Sequence, residues 1–271
     1  MSERIQVTTS EGVADVKLVR SDKMNALDDA MFTALISTAE DLANDKSVRC
    51  VVMSGEGRAF CAGLDMGNFG KMASGGDGAS PSGRQPLAER THGIANRAQQ
   101  AVWGWRALPV PVIAAVHGVA LGGGFQVMLG SDIRIAHPET KLSIMEIKWG
   151  LVPDMAGTAI MRHLCRDDIL RELTYTGRIF SGTQGHEYGF VTELAEAPHE
   201  RAMALAKQIA SKNPDAIRAN KTILNSVRSM SDEDALVQES VLQDQIIGSK
   251  NQIEAVMAEL QKREAAFEDG R

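Results

Sequence analysis

Glu146 and Asp154 are the two side chains in this sequence best suited to moving a proton. They bracket the segment Glu-Ile-Lys-Trp-Gly-Leu-Val-Pro-Asp. A carboxylate beside Trp149, Leu151 and Val152 is open to desolvation, which raises its pKa toward the range useful in a general base. Gly150 and Pro153 interrupt any continuous helix between the two acids, so spacing alone does not bring them together. Taken singly, an acid beside a turn is as well explained as a cap or a surface charge.

Two glycine-bearing segments could hold an oxygen anion. Phe60-Cys61-Ala62-Gly63-Leu64-Asp65 follows the apolar run Val51-Val52-Met53, and His117-Gly118-Val119-Ala120-Leu121-Gly122-Gly123-Gly124 follows Val110–Val116. Glycine after a strand lets the backbone approach a ligand closely. A helix opening at Gly124 would aim unpaired N–H groups at an oxyanion or a phosphate. A tight strand-to-helix crossing explains a single glycine run equally well. The dinucleotide fingerprint G-x-G-x-x-G fails, because Val127 stands where its third glycine belongs. The motifs GxSxG, GxxxxGK[ST] and HExxH do not occur. His117 reads as a satisfied core histidine, and Cys61 and Cys165 as packing thiols.

The elements that must position these residues follow from periodicity. Ile5–Thr9 and Val13–Val19 alternate as two strands around Ser10-Glu11-Gly12. Met31, Leu35, Ala39 and Leu42 recur at helical spacing, predicting a helix over 28–43. Val48–Met53 and Val110–Val116 read as buried strands, residues 87–106 as a helix, and Phe125 onward as another. Asp132–His137 and Leu142–Met145 complete the strands of this part. Beyond Ala156 a single strand, 190–194, is expected. The rest is helical: 156–164, 166–174, 183–188, 197–211, 214–228, 232–247 and 250–263.

With 271 residues, the chain is long enough for one large domain or one domain with an appendage. The pattern predicts an α/β core over residues 1–200 and a helical region over 201–271. The Gly/Ser/Pro-rich segment 70–86 reads as a mobile loop within the core. With 29 basic against 35 acidic residues, the net charge of −6 argues against a mainly electrostatic nucleic-acid binder. Three widely spaced cysteines form no disulfide framework or zinc pattern, and a reducing cytoplasm is expected. The N-terminus has no apolar core of a secretory signal. Ala107–Gly130 carries no charged side chain, but Pro109, Pro111 and three glycines divide it into two short buried elements rather than a membrane span.

The order of five segments resembles the crotonase (enoyl-CoA hydratase/isomerase) family. They are Arg20-Ser21-Asp22-Lys23-Met24-Asn25-Ala26-Leu27, then AFCAGLD, HGVALGGG, SDIRIA and the Glu146–Asp154 segment. The likeness runs from about residue 5 to Phe267. It implies a spiral of ββα units, a helical C-terminal trimerisation region, and a homotrimer or a hexamer built as a dimer of trimers. It also implies an acyl-CoA thioester substrate, with coenzyme A arriving as part of that substrate and no other cofactor or metal.

Carried onto this sequence, the resemblance makes the backbone N–H groups of Ala62 and Gly123 the oxyanion hole. Lys23, Asn25, Ala26, Leu27, Ala62 and Leu64 fall on CoA-binding stretches, and Phe267 resembles a C-terminal aromatic that closes the acyl-CoA site, in some members from a neighbouring subunit. Family hydratases carry two glutamates; Glu146 matches one, but Gln126 stands where the other belongs. An amide exchanges no proton at neutral pH and can only hydrogen-bond. Asp154 stands where typical hydratases have glycine, and the spacing resembles the dienoyl-CoA isomerase branch, although those enzymes also carry an aspartate at the Gln126 position. The expected activity is therefore acyl-CoA double-bond isomerisation by Glu146 and Asp154, with either as base. Hydration of a 2-enoyl-CoA, or silent acyl-CoA or RNA binding, are the alternatives.

Overall fold

A computed structural model describes residues 3–67 and 86–270. Alternation and a Glu-Gly turn at positive φ produce the first hairpin. Strands β1 (Ile5–Ser10) and β2 (Val13–Leu18) pair antiparallel, from Ile5 opposite Leu18 to Ser10 opposite Val13. Helix α1 (Asp29–Asn44) begins where the Asp28 carboxylate accepts the Met31 N–H at 2.8 Å. Its buried stripe contains Met31, Leu35, Ala39 and Leu42, the residues whose spacing predicts it.

Strand β3 (Cys50–Gly55) then lies parallel to β2, and β4 (Val112–Val116) parallel to β3. Both read as unbroken apolar runs because helices cover both faces of a parallel sheet. Three short strands follow: β5 (Val119–Leu121), β6 (Ile133–Ala136) and β7 (Lys141–Ser143). Later come β8 (Phe180–Ser181) and β9 (Glu193–Leu194). The larger sheet has the order β1-β2-β3-β4-β6-β9, and the smaller β5-β7-β8. Since β3 and β4 run the same way, the loops that leave their C-terminal ends emerge on one side of the sheet.

Helix α2 (Arg97–Ala107) is shorter than the helix expected over 87–106. Asn96 and Gln99 form a reciprocal capping box, each side chain accepting the other's N–H at 2.9 and 3.0 Å, which starts the helix there. Upstream, Arg90 binds the Leu87, Ala88 and Ile94 carbonyls and holds the chain in turns. The loop expected over 70–86 lies, apart from Pro86, outside the described residues. Strand β8 was not expected, since two residues carry no periodicity, and the strand expected over 190–194 contracts to β9. The uncharged stretch 107–130 resolves into β4, β5 and α3 (Gly123–Leu129), and no helix among the described residues is long and apolar enough to cross a membrane.

Helices α4 (Gly157–Met161), α5 (Asp167–Thr176) and α6 (Gly182–Glu187) follow, and Phe125 packs edge to face on both Phe180 and Phe190 beside the smaller sheet. Helix α7 (Pro198–Ala210) presses Ala202, Ala206 and Ala210 against Val13, Cys50, Val52, Ile113, Ala115 and Ile135 of the larger sheet. The boundary expected at residue 200 thus falls inside a helix that belongs to the core. Helices α8 (Pro214–Ser226), α9 (Asp232–Ile246) and α10 (Lys250–Gln261) complete the chain. Helix α9 buries none of its residues and exposes Leu236, Val237 and Val241, while α10 exposes Ile253, Val256, Met257 and Leu260.

The SDIRIA segment is a fastening. Arg134, on β6, is buried and donates to the carbonyls of Phe190 at 2.6 Å and Ser131 at 2.7 Å. The Asp132 carboxylate accepts the Val112 N–H at 2.8 Å and the buried Lys221 ammonium at 2.7 Å, and Lys221 also donates to the Val110 carbonyl. Helix α8 is pinned this way to the N-terminal end of β4. Lys221→Met is expected to lower unfolding stability by about 2–4 kcal/mol, because a half-buried carboxylate loses the nearer of its two cations and keeps only Arg106, at 3.8 Å. Asp132→Asn in the same chain should restore part of the loss, and denaturant unfolding of the single and double variants measures both.

Candidate active site

The loops that follow β3 and β4 cross in backbone contact. Phe60 N–H donates to the His117 carbonyl at 3.0 Å, Cys61 N–H to the Val119 carbonyl at 3.0 Å, and Leu121 N–H to the Cys61 carbonyl at 3.1 Å. Gly124 sits where any Cβ would strike the Cys61 carbonyl, so the crossing requires glycine there. Gly63 takes φ +89°, and a methyl built on it would collide with the Leu121 carbonyl oxygen and stand 3.6 Å from the Gly123 nitrogen. The two glycine segments therefore meet, as the sequence suggests.

They meet with two free donors. Leu27 N–H donates to the Gly63 carbonyl at 2.8 Å and Asp65 N–H to the Leu27 carbonyl at 3.0 Å. In such a ladder successive groups alternate sides, so the intervening Leu64 N–H points away from Leu27. Neither Leu64 N–H nor the Gly123 N–H that opens α3 has a hydrogen-bond partner among the described residues. Ala62, the donor expected from the sequence, is not available: its N–H is spent on the Met24 carbonyl at 2.9 Å. The correction is a shift of two residues along one loop: with Gly63 at positive φ between them, the Ala62 N–H turns toward the Met24–Leu27 segment and the Leu64 N–H away from it.

Asn25 also differs from expectation. It is fully buried at φ +56°, its Oδ1 accepting the Arg20 N–H and its Nδ2 donating to the Glu56 and Ala59 carbonyls. Its side chain shapes the turn, with both amide hydrogens and one lone pair of Oδ1 spent within the protein. Arg20 ties the same turn to the donor loop, reaching the Ala26 carbonyl at 3.0 Å and Asp65 at 2.6 Å. Ala26 and Leu27 are buried, Leu64 is half-buried and Lys23 is exposed.

Glu146 lies in a short 3-10 turn, Glu146–Trp149, after β7. It is 8% exposed. Its Oε1 accepts from Gln126 Nε2 at 2.6 Å, while its Oε2 is buried with no hydrogen-bond partner among the described residues. Burial pushes the Glu146 carboxyl above its ordinary range, the negative charge of Asp154 adds to this, and the Gln126 bond opposes it. The two acids expected to act together are thus within electrostatic reach, with Asp154 exposed and Glu146 enclosed. Gln126, on α3, is also buried; its Oε1 accepts the Met155 and Gly157 N–H groups, both at 2.9 Å.

Phe267 is elsewhere in the same chain. Its carbonyl accepts from Arg49 at 2.9 Å, at the start of β3, while the donor loop leaves the far end of that strand. Six residues of strand separate those ends by about 20 Å, so Phe267 does not reach this chain's own site. His117 Nε2 donates to the Gly57 carbonyl at 2.8 Å, as a structural histidine would. Trp105 is in the core, whereas Trp149 is 39% exposed with the Lys148 ammonium over its ring. No group of three His, Cys, Asp or Glu side chains suited to a metal occurs among the described residues.

A family model described as enoyl-CoA hydratase/isomerase matches residues 8–270. The chain belongs to the enoyl-CoA hydratase/isomerase family. It is 30% identical over 255 residues to a probable enoyl-CoA hydratase of Bacillus subtilis, covering 93% of this chain and 94% of that protein. It is 25% identical to a mitochondrial Delta(3,5)-Delta(2,4)-dienoyl-CoA isomerase of Dictyostelium discoideum, over 97% of this chain and 90% of that one. Among solved structures, an enoyl-CoA hydratase from Bacillus anthracis superposes with a TM-score of 0.85 at 28% identity, covering 98% of this chain and 99% of that one. A crystal structure described as a putative enoyl-CoA hydratase, from Streptomyces coelicolor, gives 0.86 at 27% identity, covering 99% and 95%. The fold is the crotonase fold of that family, and an enzyme acting on acyl-CoA thioesters is the common reading of its members.

Proposed function

We propose that this family member is an acyl-CoA double-bond isomerase. The observation that carries the reading is the division of labour between Glu146 and Gln126. Glu146 is an enclosed carboxylate with one orphan oxygen and a raised pKa. Gln126 occupies the position of the second hydratase glutamate, exchanges no proton, and has both ends of its amide engaged by protein. Two acids that share a water are therefore not on offer at positions 126 and 146.

In this mechanism the thioester oxygen accepts from Leu64 N–H and Gly123 N–H. Each such donor contributes about 3–4 kcal/mol when it meets charge that develops only in the transition state. Glu146 removes a proton from the acyl chain, and the electron pair moves to the thioester oxygen as an enolate or dienolate. The proton returns to a different carbon, from Glu146 or from Asp154, and the double bond has shifted. Unequal environments allow one carboxyl to start ionised and the other protonated. Lys23, Ala26, Leu27 and Leu64 border the path proposed for CoA, with the Lys23 ammonium suited to its anionic groups. CoA enters as substrate, and the mechanism uses no other cofactor.

The exposed apolar residues of α9 and α10 support self-association as a trimer or a pair of trimers. In that assembly Phe267 would serve a neighbour's site. Buried, unbridged Cys50 and Cys61 accord with a cytoplasmic location.

A paired spectrophotometric assay tests the function. A 3-enoyl-CoA and a 3,5-dienoyl-CoA should gain or extend conjugation with the thioester, and a 2-enoyl-CoA should be consumed slowly. Asp154→Asn is expected to lower isomerase turnover by about tenfold or more. Unchanged turnover removes Asp154 from the mechanism. The second reading is hydration, favoured by the hydratase name of the Bacillus subtilis relative. Rapid loss of 2-enoyl-CoA would establish it in place of isomerisation, and tight acyl-CoA binding without turnover would leave a silent binder.

A further inference from the structure

Gln126 is a buried polar side chain that touches both acid-bearing segments. It is 1% exposed, on the first turns of α3, directly behind the Gly123 donor. Its Nε2 donates to Glu146 Oε1 at 2.6 Å, on the 3-10 turn. Its Oε1 receives two backbone N–H groups, Met155 and Gly157, each at 2.9 Å, on the turn that begins at Asp154. Ala156, between those two donors, is held at φ +67°, a conformation a non-glycine residue rarely adopts without such restraint. Gly157 leaves room for the amide, since a Cβ there would press on Gln126 Oε1. Three of the four hydrogen bonds available to one amide are used, two by its oxygen and one by its nitrogen.

We propose that Gln126 is a positioning residue: it fixes the Glu146 carboxylate and the Asp154–Gly157 turn in one frame, and so confines proton transfer to the single free oxygen of Glu146. The proposal rests on the reading of Glu146 as the base. A neutral amide is required for this double task. Its oxygen end must accept from two backbone donors, and its nitrogen end must donate to a carboxylate. A glutamate at 126 satisfies the first and opposes the second, since an ionised carboxylate has no proton to give and repels its neighbour.

Two variants separate the two bonds. Gln126→Met keeps the length of the side chain and removes all three hydrogen bonds. Expected are a fall in kcat of about tenfold or more with KM within about threefold, because geometry and not binding is lost. Amide hydrogen exchange at Met155 and Gly157 should accelerate by about tenfold or more, read by mass spectrometry or NMR. Gln126→Glu keeps the acceptors, so exchange at Met155 and Gly157 should stay as in the natural chain. Its acid limb of the pH–rate profile should move up by about one unit or more, as a second carboxylate faces Glu146 alongside Asp154.

Unchanged kcat in Gln126→Met overturns the proposal, and so does unchanged amide exchange there. An unshifted pH profile in Gln126→Glu overturns the part that concerns Glu146, and that variant serves where the methionine chain fails to fold. If the natural chain isomerises no thioester, the isomerase reading fails on its own. The amide-exchange comparison then still decides whether Gln126 holds the turn, and the same kinetic comparison is made on whichever reaction the natural chain performs.

Discussion

Glu146→Gln is expected to lower turnover by about 10²–10⁴-fold while leaving acyl-CoA binding nearly unchanged, since it removes the proton acceptor and keeps the shape. The same substitution should stabilise the fold. Burial raises the folded pKa of Glu146 above its unfolded value, so the folded state holds the proton more tightly. Stability is then lost as pH rises from the unfolded pKa through the folded one, and the penalty is complete above both. Glutamine carries no charge to desolvate and can still accept from Gln126 Nε2. Glu146→Gln should therefore melt above the natural chain at neutral and alkaline pH, with the gap closing in acid. Catalysis follows the opposite sign, because the base works ionised: kcat/KM should fall as pH drops through the raised pKa, at a pH above the ordinary glutamate range. Thermal melts at two pH values and one pH–rate profile check these statements together. A variant that lost activity and also stability at neutral pH would mean that Glu146 is a structural anchor.

Gly63→Ala should be the most damaging single methyl in the site. The added carbon meets the Leu121 carbonyl oxygen, which is backbone and cannot swing aside, at a φ of +89° that disfavours any side chain. The Leu64 N–H follows directly in the chain, so the loop cannot yield without moving that donor relative to Gly123. A loss of about 10²–10³-fold in turnover is expected, the size of one mispositioned oxyanion donor. Gly248→Ala is the control. It also has positive φ, +74°, but a methyl there meets nothing within 4 Å. It should cost a modest amount of stability and leave turnover unchanged. Equal loss of activity in both variants would show that left-handed backbone strain, rather than placement of the Leu64 N–H, is responsible.

Local pattern made much of this protein legible. The stripe Met31, Leu35, Ala39, Leu42 marks α1 because a helix repeats every 3.6 residues, and the apolar runs Cys50–Met53 of β3 and Val112–Val116 of β4 mark strands covered on both faces. Glycine placement revealed the two loops that meet, because close backbone approach excludes every other residue. Glu146 stood out as an acid beside an apolar segment, whereas Gln126 drew notice only through the family resemblance, which places a glutamate there. By contrast, the helix expected at 87–106 depended on where a capping box would form, and two-residue β8 has no period to detect.

What composition and order could not decide is direction. Ala62 and Leu64 flank the same glycine in one loop, and only the Met24 carbonyl, brought in from a distant turn, takes the Ala62 N–H and leaves that of Leu64 free. Asn25 looks like a ligand contact until the buried carbonyls of Glu56 and Ala59 claim its amide. Phe267 lies in a suggestive segment, yet Arg49 holds its backbone at the opposite end of β3. Residue type is a property of one position and is written in the sequence. Which hydrogen bonds are already taken is a property of pairs far apart in the chain, and only the folded structure decides it.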